Sequence, residues 1–204
     1  RGLELASRLS HFWYRSNRFR EGSYWIRTFL QKDSAGVMHA YAWYGLGMLT
    51  FYMGEWRKAC DHLRTSIAQS DHVEDTAVKV LALSFLGVGS RWLGDVHNGW
   101  HYQKEALRLA RSQNDSWILL YSLIAAYCTA GGEFPFPAPF TQLQEGIDLA
   151  TAREDRWSLA HLYNGLGDLY VASRDEARAE LSYARSIELF KDFNDRYLIA
   201  WNYE

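Results

Sequence analysis

One spacing constrains this chain before anything else: residues of matching type return every 40 positions. Leu46-Gly47 comes back as Leu86-Gly87 and as Leu166-Gly167. Gly54-Glu55 comes back as Gly94-Asp95 and, less cleanly, as Arg174-Asp175. Ser66-Ile67 recurs as Ala106-Leu107, Gly146-Ile147 and Ser186-Ile187. A further series, Glu74-Asp75, Asn114-Asp115, Glu154-Asp155 and Asn194-Asp195, keeps the same step. Asp is a favoured helix N-cap, because its carboxylate accepts the orphan N–H groups of the first turn. Independent series sharing one period mark an array in which each unit stacks on its neighbours.

The unit is clearest from Trp43 to Ile67, WYGLGMLTFYMGEWRKACDHLRTSI. It reads as two antiparallel helices joined by a tight turn at Gly54-Glu55. Trp43, Leu46, Gly47 and Thr50 stand before the turn, and Ala59, Leu63, Ser66 and Ile67 after it. These offsets put a small residue on each helix at the crossing, with bulky residues above and below. The stretch resembles a tetratricopeptide (TPR) unit. That pattern places an aromatic, then Leu-Gly, then an aromatic, a small residue, an aromatic and another small residue. Trp43, Leu46-Gly47, Ala59 and Ser66 match it, while Thr50 and Leu63 replace two of the aromatics. The expected fold is all-α, a right-handed α-α superhelix of about five hairpins of ~40 residues plus one extra helix.

The expected units are 1–32, 36–71, 75–112, 115–152 and 155–191, with a half unit over 194–204. They form a single solenoid, and the chain reads as a fragment of something longer. Each helix should be about a turn longer than in a minimal TPR unit. In the first unit Leu9-Ser10 takes the Leu-Gly place, Trp13 the aromatic, Asn17 the turn, and Gly22 and Phe29 the second-helix positions. Phe29 is large where the pattern wants a small residue. Gln103 sits where an apolar residue is expected, a local weakness. In the fourth unit, if the first helix aligns through Leu123-Ile124 and Tyr127, it is shifted by three residues and the longer loop restores the period. It ends at Gly131-Gly132, and the loop Phe134–Phe140 holds all three prolines. Proline removes backbone donors and restrains its predecessor, so this loop is extended. Its phenylalanines pack back onto the array. Either it is a plain insertion or it is a contact lip.

Composition bears on function classes. Net charge is -2, and Lys and Arg are spread along the chain without a stripe. Phosphate neutralisation needs clustered cations, so direct nucleic-acid contact is not expected. The two cysteines, Cys60 and Cys128, lie far apart and read as buried thiols in a reducing compartment. The longest apolar run, Trp117 to Ala130, is 14 residues and short of a membrane span. No phosphate-cradling glycine loop or nucleophile motif is present. His97, His101 and Glu105 share a helix face at i, i+4 and i+8, a spacing that could in principle hold a metal but is read as a solvated stripe on the outer face of a second helix. No catalytic residue, cofactor or metal is assigned, and the chain is read as non-enzymatic.

The first helices of such an array line its concave face. The groove-facing offsets give Ser7, His11 and Tyr14; Tyr41, Tyr44, Met48 and Phe51; Ser84, Val88 and Arg91 with Trp92; Tyr121, Ala125 and Cys128; and His161, Asn164 and Asp168. Members that bind chaperone tails carry a Lys/Asn/Arg clamp here. Ser7/His11, Tyr44/Met48 and Ser84/Val88 lack it, so that role is not expected. The binding groove is instead assigned to Tyr14, Tyr41, Tyr44, Met48, Phe51, Arg91, Trp92 and Tyr121. Either these residues form an aromatic wall with a cation at its centre, or they are buried against neighbouring helices.

The first unit carries a narrower resemblance. Leu5 to Tyr14, Phe19 to Gly22 and Trp25 to Leu30 are similar to the start of the TPR region in large bacterial signal-transducing ATPases and transcriptional regulators of the maltose-regulator type. That resemblance implies a cytoplasmic regulatory segment whose partners are proteins or peptides, including other domains of the same regulator. A small-molecule sensor using the aromatic groove stays open beside it. The apolar side of the last half unit, with Tyr197, Leu198 and Trp201, is expected to favour self-association.

Overall fold

The computed structural model describes residues 1–32, 36–130, 139–191 and 193. Among these the fold is all-α, with eleven helices and no strand. No described helix is long and apolar enough to cross a membrane. The chain falls into two compact units, Arg1–Asn114 and Asp115–Glu204, and each is taken by itself. Unit 1 holds α1 (Gly2–Arg8), α2 (Ser10–Arg15), α3 (Phe19–Leu30), α4 (Val37–Tyr52), α5 (Trp56–His72), α6 (Thr76–Trp92) and α7 (Val96–Ser112). Unit 2 holds α8 (Ser116–Ala130), α9 (Pro139–Ala152), α10 (Arg156–Ala172) and α11 (Glu176–Lys191). The half unit 194–204, with its proposed self-association face, lies outside the described residues, as do Phe134 and Phe136.

Local chemistry sets the helix ends. At the turns inside the hairpins, Asn17, Gly54, Gly94 and Arg174 all take positive φ, from 57° to 84°. In each, the next residue's N–H reaches back five positions: Arg18 to Trp13, Glu55 to Thr50, Asp95 to Ser90 and Asp175 to Tyr170. This left-handed cap satisfies the last carbonyls of the helix, and Gly or Asn meets it with least strain. Arg174 takes the same conformation at φ 59°, which is why the turn series is degenerate there in sequence yet regular in space. On the other side, Asp75, Asp95, Asp155 and Asp175 each accept the N–H three residues on.

Glycines mark the close helix approaches. A Cβ on Gly47 would lie 2.6 Å from Leu63 Cγ, and one on Gly87 would lie 3.0 Å from the Gly99 carbonyl oxygen. Ser66 Oγ donates to the Ala40 carbonyl at 2.7 Å, and Ser186 Oγ to the Ala160 carbonyl at 2.8 Å. The third hairpin has Ala106 at that place. There Gln103, fully buried, donates from Nε2 to the Ser84 carbonyl at 2.7 Å. Gln103 is thus a cross-helix tie rather than the weakness its polarity suggests. Phe29 is accommodated by a glycine opposite it, since its ring lies 2.5 Å from where a Cβ on Gly2 would stand.

One expectation changes. The first helix of unit 1 is interrupted at Leu9 (φ -81°, ψ 2°), although Trp13 N still bonds the Leu9 carbonyl. The start of α8 is in register, as the Asn114-Asp115 series expects. Asp115 Oδ1 caps it by accepting from Trp117 N and Ile118 N, one full period after the Asp75 cap.

In unit 1, α4 packs on α1, α2, α3, α5 and α6. In unit 2, α10 packs on α8, α9 and α11. Leu120, Ile124, Leu143, Ile147 and Leu162 form the core of unit 2.

Candidate functional site

The predicted wall in unit 1 is mostly interior. Tyr44 is 2% exposed and Met48 not exposed at all, and Tyr14 and Phe51 are also buried. Tyr44 Oη lies 3.0 Å from His11 Nε2, and Tyr52 donates to Tyr14 Oη at 2.8 Å. Phe51 meets Phe85 edge-on at 5.7 Å and Trp92 at 6.1 Å. The physical reason is that α4 packs on five other helices, so its stripe is the glue between successive first helices. Only the margin reaches solvent: Tyr41 and Arg91 are half-buried, and Trp92 is exposed and lies tilted against Trp56 at 5.1 Å. In unit 2, Tyr121 is buried and stacks on Trp117 at 5.5 Å.

Packing has an acid–base consequence. Burial, with Arg15 nearby, pushes His11 down from 6.5 to about 3. The folded state therefore holds His11 neutral while the unfolded chain takes up a proton below about 6.5. Its contribution to stability is whole above pH 6.5 and is lost as pH falls toward 3. Urea midpoints measured across that range should fall less steeply for His11→Gln than for the parent chain.

Unit 2 gathers Asn164 and Asp168, two of the groove positions, with two tyrosines the groove assignment did not include. Tyr127 Oη is 2.5 Å from Asp168 Oδ2 and 2.7 Å from Asn164 Oδ1, and Tyr183 donates to Asp168 Oδ1 at 2.5 Å. Gly165 and Gly167 admit these rings, since a Cβ on either would meet Tyr127 or Tyr183. Both carboxylate oxygens of Asp168 are occupied by phenols, so it is no general base. Burial, with Asp168 nearby, raises the Tyr127 phenol far above 10 and the Cys128 thiol to about 12. Burial first, then the bond to Asp168, raises Tyr183 as well. These groups stay protonated, and the cluster ties α8, α10 and α11 together.

The polar residues that do face solvent in a hollow lie on α3, a second helix. One groove of about 420 Å³ is lined by Arg20, Ser23, Tyr24, Arg27, Gln31 and Met53, with Glu55 on its far side. A second hollow of about 400 Å³ continues from it past Asn17, Phe19 and Tyr52, and Arg20 and Met53 border both. Tyr24 is 62% exposed and Trp25 41%. Sequence reasoning missed this face by attending to first helices. The signal was present: Arg20 and Arg27 stand at i and i+7 with Tyr24 between them. Residues 1–32 carry seven Lys and Arg against two Glu, within a chain of net charge -2. The cations are thus concentrated at this end rather than evenly spread.

His97, His101 and Glu105 do not converge on a metal geometry. Glu105 is held by both Nε and Nη2 of Arg108, at 2.8 and 2.7 Å. No group of three His, Cys, Asp or Glu among the described residues is placed to hold an ion.

No family model matches the chain, and no curated protein matches it by sequence. Solved structures do. BtubC (BKLC) from P. vanneervenii superposes with a TM-score of 0.67 at 14% identity, covering 94% of this chain and 81% of that one. The apo form of RapI superposes with a TM-score of 0.67 at 11% identity, covering 99% of this chain and 80% of that one. Both are helical-repeat proteins, and the chain shares their fold class, an all-α helical repeat of the α-α superhelix type.

Proposed function

We propose that this chain is a non-catalytic protein-interaction segment, acting within a bacterial, cytoplasmic regulator. The observation that carries the reading is the make-up of its exposed surface. Tyr24, Trp25 and Trp92 are exposed on helices held rigid by the hairpin packing beneath them. Exposed aromatics beside arginine are the residue types that concentrate binding energy at protein interfaces. The similarity of Leu5–Leu30 to maltose-type regulators supports the regulator context, and the free thiols of Cys60 and Cys128 fit a reducing compartment. The sensor reading has less support. A ligand seated in the aromatic wall must first break the Tyr44–His11 and Tyr52–Tyr14 contacts.

The test is site-specific photocrosslinking in the native host, with benzoylphenylalanine at Tyr24 in one variant and at Trp92 in another. A discrete protein adduct at either position is the expected result. Adducts at neither, with both variants folded and expressed, overturn the reading.

A further inference from the structure

We infer that the groove along α3 docks an acidic, extended segment of a partner protein, a reading that rests on the interaction function proposed above. The arginines set the spacing. Arg20 and Arg27 are seven residues apart, about 10.5 Å along the helix axis at 1.5 Å per residue. Both border the groove; no carboxylate among the described residues lies within ion-pair distance of either, and Arg27 acts on Glu55 across the groove only at longer range. The neighbouring charges are committed: Arg18 is 3.6 Å from Glu21, and Glu55 across the groove is bonded to Lys58.

A polyproline-II segment turns its side chains to the same side every third residue, about 9.3 Å on. Carboxylates at i and i+3 of such a segment meet both guanidinium groups with little bending of the arginine stems. A β-strand repeats its face every second residue, giving about 6.7 or 13.4 Å, a poorer match. Arginine pairs with carboxylate through two parallel hydrogen bonds, so each contact fixes direction as well as charge.

The rest of the groove suits the span between the carboxylates. Met53 is half-buried and borders both hollows, an apolar floor at their junction. Ser23 is 4% exposed, and its hydroxyl has no hydrogen-bond partner there. Trp25 meets Tyr24 edge-on at 5.3 Å and stacks on Phe29 at 5.9 Å, so the aromatic rim is braced. Charge selects the partner's sign. Residues 1–32 carry a net +5 and residues 33–204 a net -7, so an acidic segment is drawn to this end of the chain and repelled from the remainder. A nucleic acid fits less well, because two arginines about 10.5 Å apart do not track a phosphate backbone.

The probe is a fluorescein-labelled peptide, Pro-Asp-Pro-Pro-Asp-Pro, with Pro-Asn-Pro-Pro-Asn-Pro as the neutral control, read by fluorescence anisotropy on the intact chain. The Asp peptide should bind and the Asn peptide should not. Arg20→Gln with Arg27→Gln should weaken binding at least about tenfold, since hydrogen bonds to charged groups are the strong ones. Raising salt should weaken it too. Circular dichroism melts check that the exposed substitutions leave the fold intact. Equal binding of the two peptides, unchanged binding by the double variant, or no binding of the Asp peptide overturns the inference. A protein adduct at Trp92 with none at Tyr24 in the crosslinking experiment would also overturn it, while leaving the interaction function standing.

Discussion

Gly87→Leu is expected to lower the stability of unit 1 by roughly 3 kcal/mol, at the upper end of what overpacking costs. The glycine is where α6 meets α7. Its missing Cβ would stand 3.0 Å from the Gly99 carbonyl oxygen and 2.8 Å from Gln103 Nε2. The first neighbour is backbone and cannot swing aside. The second is a side chain already engaged with the Ser84 carbonyl, so displacing it breaks a buried cross-helix hydrogen bond. A leucine therefore forces the helices apart and breaks their tie. The same substitution at Gly167 should cost less, because the nearest atoms there belong to the Tyr183 ring, at the end of a rotatable side chain. Urea melts of the two variants decide it. Equal midpoints, or a Gly87→Leu midpoint equal to that of the parent, would contradict the crossing described.

Tyr44→Ala is expected to cost about 3–5 kcal/mol, the range for removing a buried aromatic side chain. Tyr44 is 2% exposed, lies 6.4 Å from the Phe85 ring edge-on, and bonds His11. Truncation opens a cavity between α2, α4 and α6 and leaves the imidazole without its hydroxyl. Tyr44→Phe keeps the ring and removes only the hydroxyl with its contacts to His11 and Met48, so it should cost about 1 kcal/mol. The ratio of the two losses separates packing from polarity, and thermal melts of the pair measure it. A Tyr44→Ala chain as stable as the parent would return Tyr44 to the list of surface binding residues. On the present packing, any loss of binding in that variant is a loss of fold.

Much of the local structure was legible in the sequence. The aspartates at 75 and 155 cap helices, the glycines at 54 and 94 adopt left-handed caps, and Ser66 and Ser186 make the same cross-helix bond. These features depend on short stretches of backbone and recur with the period, so spacing is enough to find them. Arg174 shows where residue identity falls short, since the turn imposes its conformation on a residue that ordinarily avoids it.

Burial of the aromatic stripe was only half legible. From Val37 to Tyr52 the chain has no Asp, Glu, Lys or Arg, and a helix without a charged face is an enclosed helix. What that pattern could not reveal is which helices enclose it. Tyr44 meets His11, 33 residues earlier, and Phe85, 41 residues later, contacts fixed by how successive hairpins stack. Tyr127, Asn164, Asp168 and Tyr183 come together for the same reason. The α3 groove is the converse case. The sequence determined that Arg20, Tyr24 and Arg27 share one helix face, because 3.6 residues per turn dictates it. Only the tertiary structure decided that this face borders a hollow, because Met53 and Glu55 are brought opposite it by the packing of α3 on α4.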